Sequence, residues 1–277
     1  MIPPAEIVDS VVISTRGRGC SKSLYAVCEA LTGLGQSAIG ALQPGTTVAT
    51  WFHHQCLAYD YSYVPDVLIY PELHQVHYPE VKHHICFVQG RFSEVEAHAS
   101  LAVFKSPGTL SWARARNPRT SAALIPPGID RQIFDYDGRP KKEIICFMPR
   151  PHRYPETGQR LREQHGAKVV DILGRSEVEV AELLKEAKVF VWRGSDKDGS
   201  PRPPREALAA GCVVVGLETD LNDDHGTTFG LTCSSVDELV QRAGEALDMP
   251  IPSQEERSVI RDKKDELRDW VNLIKQL

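Results

Sequence analysis

DGSPRPPREALAAGCVVVG, residues 198–216, decides the reading of the fold. A turn containing Gly199 and Ser200 leads into Pro203 and Pro204, which suit the first helical positions because the N–H they lack has no partner there anyway. The alanine-rich run continues the helix, Gly211 closes it, and CVVVG (212–216) is an apolar strand. A helix feeding a buried strand is the repeating step of a parallel sheet. Two residues break the local rule. Arg202 and Arg205 stand at the helix N-terminus, whose partial positive charge disfavours a cation by about 0.3–1 kcal/mol. If they are solvated, replacing each with Glu should slightly stabilise the protein. If they face an anionic ligand, stability should hold or rise while ligand binding falls.

The same alternation extends in both directions. Upstream, EIICFM (143–148), KVVDIL (168–173) and KVFVW (188–192) read as strands. They are separated by helices over 156–166 and 176–187, the second opened by a Ser176/Glu179 capping box. Downstream, 234–247 is a further helix. FDYDGRPKK (134–142) is polar and turn-rich and reads as a linker. Before it, EIVDSVVIS (6–14), SAIGAL (37–42), DVLIY (66–70), HICFV (84–88), LAVF (101–104) and AALIP (122–126) are strand signals. Leu24, Val27, Cys28, Leu31 and Leu34 carry a helical period behind the first of them. The expected organisation is an N-terminal α/β domain over 1–135, a second over 141–253, and a C-terminal amphipathic helix over 254–277. That helix shows an apolar stripe through Val259, Ile260, Leu267, Trp270, Val271 and Ile274.

Composition narrows the function classes. The 277 residues carry a formal net charge of −5, with no basic run that marks a polyanion-binding tail. No apolar stretch approaches the ~18 residues of a membrane span, and the N-terminus lacks the basic and apolar regions of a secretory signal. The seven cysteines lie mostly in apolar runs such as HICFV and GCVVV, without a CxxC pair, and read as reduced, buried residues of a cytoplasmic protein. His53, His54, His74, His77, His83 and His84 lack a fixed carboxylate or cysteine set, so no metal site is expected. GRG (17–19) is neither a dinucleotide fingerprint, because Lys22 takes the third glycine position, nor a Walker A loop, because Ser21 precedes Lys22.

A helix N-terminus offers free N–H groups and a dipole that suit phosphate. Arg202 and Arg205 would then be its counterions. Asp198 and Glu206 are too far apart for one helix face, and suit a loop folding back so that both enter one cleft. Carboxylates accept hydrogen bonds from vicinal sugar hydroxyls. The chemistry is that of a sugar joined to a phosphate. Glu72, at the end of the 66–70 strand, and Gln89 and Arg91, after 84–88, lie where α/β sheets bind ligands and are candidate acceptor or sugar contacts.

The 198–216 stretch resembles the E-x7-E signature of GT-B glycosyltransferases, especially retaining enzymes of family four. IPPGIDRQIF (125–134), IICFMPRPHR (144–153) and ILGRSEVEVAELLKEAKVFVW (172–192) resemble other blocks of that family in order and spacing. The resemblance covers about 120–250; before that it rests on GRG and YPE…FVQG (70–90). It implies two Rossmann-like α/β/α domains facing a central cleft, acceptor on the N-terminal side and nucleotide-sugar on the C-terminal side. Carried over by position, Glu206 would accept hydrogen bonds from the nucleotide ribose and Asp198 would contact the donor sugar. Arg150 would neutralise the diphosphate, with Arg153 as a substitute. Backbone N–H groups from Gly199 through Ser200 to Arg202 would meet phosphate and sugar hydroxyls, and Gly17 and Gly19 would let a first-domain loop approach the same ligand. A first-domain histidine would contact the sugar; which one stays open.

The sequence departs from the family pattern at three points. Asp198 is one methylene shorter than Glu, Pro201 replaces a glycine, and no lysine follows Arg150 at the expected distance. The implied activity is sugar transfer from a nucleotide-sugar to an acceptor hydroxyl, with retention and without an essential metal. The nucleotide-sugar is a co-substrate, and no cofactor is implied. Alternatives are a non-catalytic GT-B module that binds nucleotide-sugar or a partner, and, for the acceptor, a modified nucleic-acid base, against which the net acidity weighs.

Overall fold

A computed structural model of the chain describes residues 10–14, 24, 27, 31, 38–42, 66–71, 81–90, 99–119, 121–149, 154–194, 199–218 and 230–277. The chain divides into two compact units, Met1–Pro126 with Lys264–Leu277, and Pro127–Lys263. In the first unit, strands β1 (Ser10–Ser14), β2 (Ala38–Leu42), β3 (Val67–Pro71), β4 (His83–Val88), β5 (Leu101–Phe104) and β6 (Ala122–Leu124) form one sheet in the order β2-β1-β3-β4-β5-β6. Every pairing in it is parallel. Alternate residues of the central strands enter two separate cores. Val67, Ile69, Ile85, Phe87 and Val103 enter one. Leu68, Tyr70, Cys86, Val88, Ala102 and Phe104 enter the other. Burial on both faces is why these strands read as unbroken apolar runs. Leu24, Val27 and Leu31 are buried helical residues of the first core, as their spacing predicts. One helix that the sequence left open follows β5: α1 (Pro107–Arg116), capped by Ser106, whose Oγ accepts from Thr109 N at 3.2 Å.

The second unit holds β7 (Lys142–Phe147), β8 (Val169–Asp171), β9 (Ala187–Trp192), β10 (Val213–Leu217) and β11 (Leu231–Cys233). Their order is β11-β10-β9-β7-β8, again all parallel. Ile145, Phe147, Val189, Val191, Val213 and Val215 face one core. Cys146, Phe190, Trp192 and Val214 face the other. The helices are α2 (Arg131–Phe134), α3 (Pro155–His165), α4 (Glu177–Glu186), α5 (Arg202–Ala209), α6 (Val236–Glu245) and α7 (Gln254–Ser258). The capping box forms as expected: Ser176 N donates to Glu179 Oε2 at 2.7 Å and Glu179 N to Ser176 Oγ at 3.3 Å.

Two expectations are corrected. The stretch 134–142 is not a linker. Phe134 is buried, Tyr136 N donates to Ala209 O at 3.0 Å, and Lys141 Nζ donates to Leu184 O and Ala210 O, so the stretch is packed within the second unit. The segment 254–277 is not one helix with one stripe. It is α7 and α8 (Lys263–Ile274). Residues 259–262 lie between them, and the chain here engages Ile129: Ile129 N donates to Arg261 O at 3.0 Å and Lys263 N to Ile129 O at 2.7 Å. A backbone bonded across to a distant segment cannot also close helical turns. Ile260 therefore joins a core of the second unit, Trp270, Val271 and Ile274 join the first unit's core, and Val259 is exposed. Gly128 permits the close pass, since a Cβ there would stand 2.3 Å from Asp262 O.

Cys146, Cys212 and Cys233 are free and buried, and Cys86 is buried in the sheet of the first unit. Burial pushes the Cys212 thiol up to about 11, which suits an inert packing role. No helix among the described residues is long and apolar enough to cross a membrane.

Candidate functional site

In the second unit the strand order reverses between β7 and β9. Helix α3, which follows β7, sends Leu161 into one core. Helix α5, which follows β9, sends Ala207 and Leu208 into the core on the opposite face. The two connections therefore diverge from neighbouring strand ends, and such a divergence opens a crevice at the carboxyl edge where α/β sheets take ligands. Residues 199–202, which open α5 after β9, lie at that edge.

The start of α5 is unusual. Pro201 occupies the N-cap and makes no side-chain cap bond, and Pro203 and Pro204 follow at the second and third helical positions. Of the helix-start N–H groups normally left without an intrahelical partner, only that of Arg202 exists. The helix keeps its dipole direction but offers an anion one main-chain donor, fewer than the sequence suggested. Gly199 and Ser200 add N–H groups from the preceding turn. Ser200 is buried, at 4% exposure, and its Oγ meets no hydrogen-bond partner among the described residues. A buried hydroxyl left without a partner is destabilising by about 1–3 kcal/mol, so a ligand atom here would be favoured. Glu206, 8% exposed, sits one turn into the helix. Arg202 is half-buried at its first position.

Arg205 differs from Arg202. It is neither solvated nor half-exposed: at 5% exposure it donates from Nη1 to Pro127 O at 2.9 Å. That contact ties the start of α5 to the residue where the chain enters this unit. The expectation that Glu at 205 would leave the free protein as stable as before is therefore corrected. At the other end of α5, Lys141 Nζ donates to Ala210 O at 2.6 Å and to Leu184 O at 2.9 Å, so one ammonium joins the C-terminal carbonyls of α5 and α4. Burial holds the Lys141 pKa below its ordinary value. Gly211 adopts a φ of +82° to close the helix, as the sequence predicted. Helix α5 is thus fixed at both ends.

Gly17, Gly19, Glu72, Arg91, Arg150, Arg153 and Asp198 lie outside the described residues. Gln89 follows β4 in the first unit, where its Oε1 accepts from Lys105 Nζ at 2.7 Å. Lys105 is a buried cation that follows β5 and lies over the Phe87 ring, and the sequence reading passed over it. His84 is buried and its backbone is held by Ser100 Oγ on both N–H and C=O, so its place is set by the strand. Among the described residues no group of three or more His, Cys, Asp or Glu side chains is placed to hold a metal ion. The sequence reading also missed Arg193, the first residue after β9, whose guanidinium lies 3.9 Å from the centroid of the Tyr154 ring.

No family model matches the chain. No curated protein matches it. Solved structures do. A sucrose-phosphate synthase from Thermosynechococcus elongatus aligns over 97% of this chain and 98% of its own, at 12% identity and a TM-score of 0.65. HepE of Anabaena, solved with UDP and glucose, aligns over 98% and 100% at 9% identity and a TM-score of 0.69. The fold is GT-B. A glycosyltransferase from Rickettsia africae shares it, at 12% identity and a TM-score of 0.66 over 98% of both chains. In a GT-B chain the α5 start is the part of the second unit that the E-x7-E resemblance selects, and the topology places that same part at the carboxyl edge of the sheet.

Proposed function

We propose that the chain is a glycosyltransferase that moves a sugar from a nucleotide-sugar to an acceptor hydroxyl. The observation that carries this is the start of α5, which follows β9 at the carboxyl edge of the sheet and carries the buried Ser200 hydroxyl, without a hydrogen-bond partner among the described residues, the buried Glu206 carboxylate and Arg202. HepE, which shares the fold, has also been solved with UDP-glucose, and that supports a nucleotide-sugar as the ligand class. Glu206 accepts hydrogen bonds from the ribose, Asp198 from the donor sugar, and Arg150 and Arg202 balance the diphosphate, with Arg153 as a substitute for Arg150. The acceptor is held by the first unit, with Gln89, Glu72 and Arg91 as its contacts. The sugar C1–O(phosphate) bond breaks, the bond from C1 to the acceptor oxygen forms, and the acceptor proton passes to the departing phosphate oxygen. The protein's contribution is preorganised charge where the phosphate charge grows.

The transfer proceeds with retention, as the family-four resemblance implies, and without a metal, because side-chain cations hold the diphosphate. Activity should survive EDTA; loss on chelation with recovery in Mn²⁺ or Mg²⁺ would refute metal independence. The test of the activity itself is release of nucleoside diphosphate from a panel of nucleotide-sugars, with and without acceptors. A donor at 100 times its dissociation constant should also stabilise the fold by about 2.7 kcal/mol. Neither release nor stabilisation with any donor would leave a module that does not use nucleotide-sugar.

Ser200→Ala separates the effect on folding from the effect on ligand. Removing a buried hydroxyl that has no partner among the described residues should leave the melting temperature unchanged or raise it. Loss of the same hydroxyl from the phosphate site should weaken nucleoside diphosphate binding about three- to tenfold, as for one ordinary hydrogen bond. Unchanged affinity in calorimetry would take the Ser200 side chain out of the site.

A further inference from the structure

We propose that Arg193, held against Tyr154, is a further diphosphate-binding side chain of the donor site, contributed by the exit of β9. The proposal rests on the nucleotide-sugar reading above. Its geometry is independent of the family resemblance. β7 and β9 are parallel neighbours with Phe147 opposite Val191. Counting two residues past each of these, Pro149 and Arg193 leave the sheet side by side at the point where the order reverses. Tyr154 is the N-cap of α3, the helix that follows β7, and Arg193 is the first residue after β9, so their contact spans the two exits that bound the crevice.

The contact has a defined consequence. A guanidinium at 3.9 Å from a ring centroid is in cation–π range, and its planar group stacks where an ammonium would not. Stacking restricts the arginine rotamers before any ligand arrives, which lowers the entropy lost on binding. The next residue leaves no slack: a side chain at Gly194 would meet Trp192 Nε1 at 2.5 Å. The demand for cations is also high. A diphosphate carries at least two negative charges, yet the prolines leave the first turn of α5 with a single main-chain donor, on Arg202. Side-chain cations must do what main-chain groups do at an ordinary phosphate-binding helix.

The test is calorimetric titration of the whole chain and its variants with ADP, GDP, CDP and UDP and the matching monophosphates. For whichever base the parent binds, Arg193→Met should weaken the diphosphate tenfold or more and the monophosphate much less. Arg193→Lys should fall between parent and Met, because it keeps the charge and loses the stack. Tyr154→Phe should match the parent, since the ring does the holding, while Tyr154→Leu should reproduce part of the loss. Should Arg193→Met fail to fold, the diphosphate-to-monophosphate ratio of Arg193→Lys decides in its place. Equal losses for both nucleotides, or parental affinity in Arg193→Met, would overturn the assignment of Arg193 alone. Failure of the parent to bind any of the eight nucleotides would instead overturn the donor-site reading on which it rests.

Discussion

Glu206→Gln is expected to leave the fold intact and weaken nucleotide-sugar binding about tenfold or more. Glu206 is 8% exposed on a helix fixed at both ends, so its carboxylate has little freedom to move away from a ligand at the helix start. Gln keeps the shape and removes the charge. Hydrogen bonds to a charged group contribute about 1.5–3 kcal/mol, which sets the size of the loss. Because the ribose does not react, the effect should appear mainly in the Michaelis constant for the donor. Donor affinity equal to the parent's, in a variant with the parent's melting temperature, would remove Glu206 from the site.

The second large effect separates two arginines that look alike in sequence. Arg202→Glu should hold or slightly raise the stability of the free protein, since the helix N-terminus favours negative charge by about 0.3–1 kcal/mol, and should lower nucleotide affinity. Arg205→Glu should destabilise by about 3–5 kcal/mol. It removes the N–H bond to Pro127 O and buries a carboxylate facing that carbonyl. Arg205→Met should lose at least the worth of the charge-assisted bond to Pro127 O, about 1.5–3 kcal/mol. Thermal melts of the three variants without ligand give the comparison. An Arg205→Glu variant as stable as the parent would mean that the Pro127 tie contributes nothing, and the difference drawn between the two arginines would fail.

The strands were legible because each central strand is buried on both faces, so its apolar run is continuous and hard to mistake. Ends shifted by a residue or two: the run KVVDIL marks β8, but only Val169–Asp171 pairs. What sequence could not show was contact across distance. Arg205 reads as a helix-start cation until the chain brings Pro127, 78 residues upstream, against it. The stripe from Val259 to Ile274 reads as one helix until Ile129 engages 261–263. The composition of the α5 start was visible, and so was the loss of a donor at Pro201. Counting the missing N–H groups at Pro203 and Pro204 needed the helix to be placed at Arg202. Arg193 had a local signal, a cation straight after the apolar KVFVW, as Arg150 is a cation soon after IICFM.

The central claim is that the nucleotide binds at the carboxyl edge of the second unit, at the start of α5. Hydrogen–deuterium exchange of the whole chain, with and without a saturating nucleoside diphosphate from the calorimetric panel, tests it most directly. Slower exchange at Gly199, Ser200 and Arg202 and at Arg193 and Gly194 is the predicted result, with no slowing in the strands of the first unit. Saturating nucleotide that leaves residues 193–194 and 199–210 unprotected while protecting another segment would contradict it.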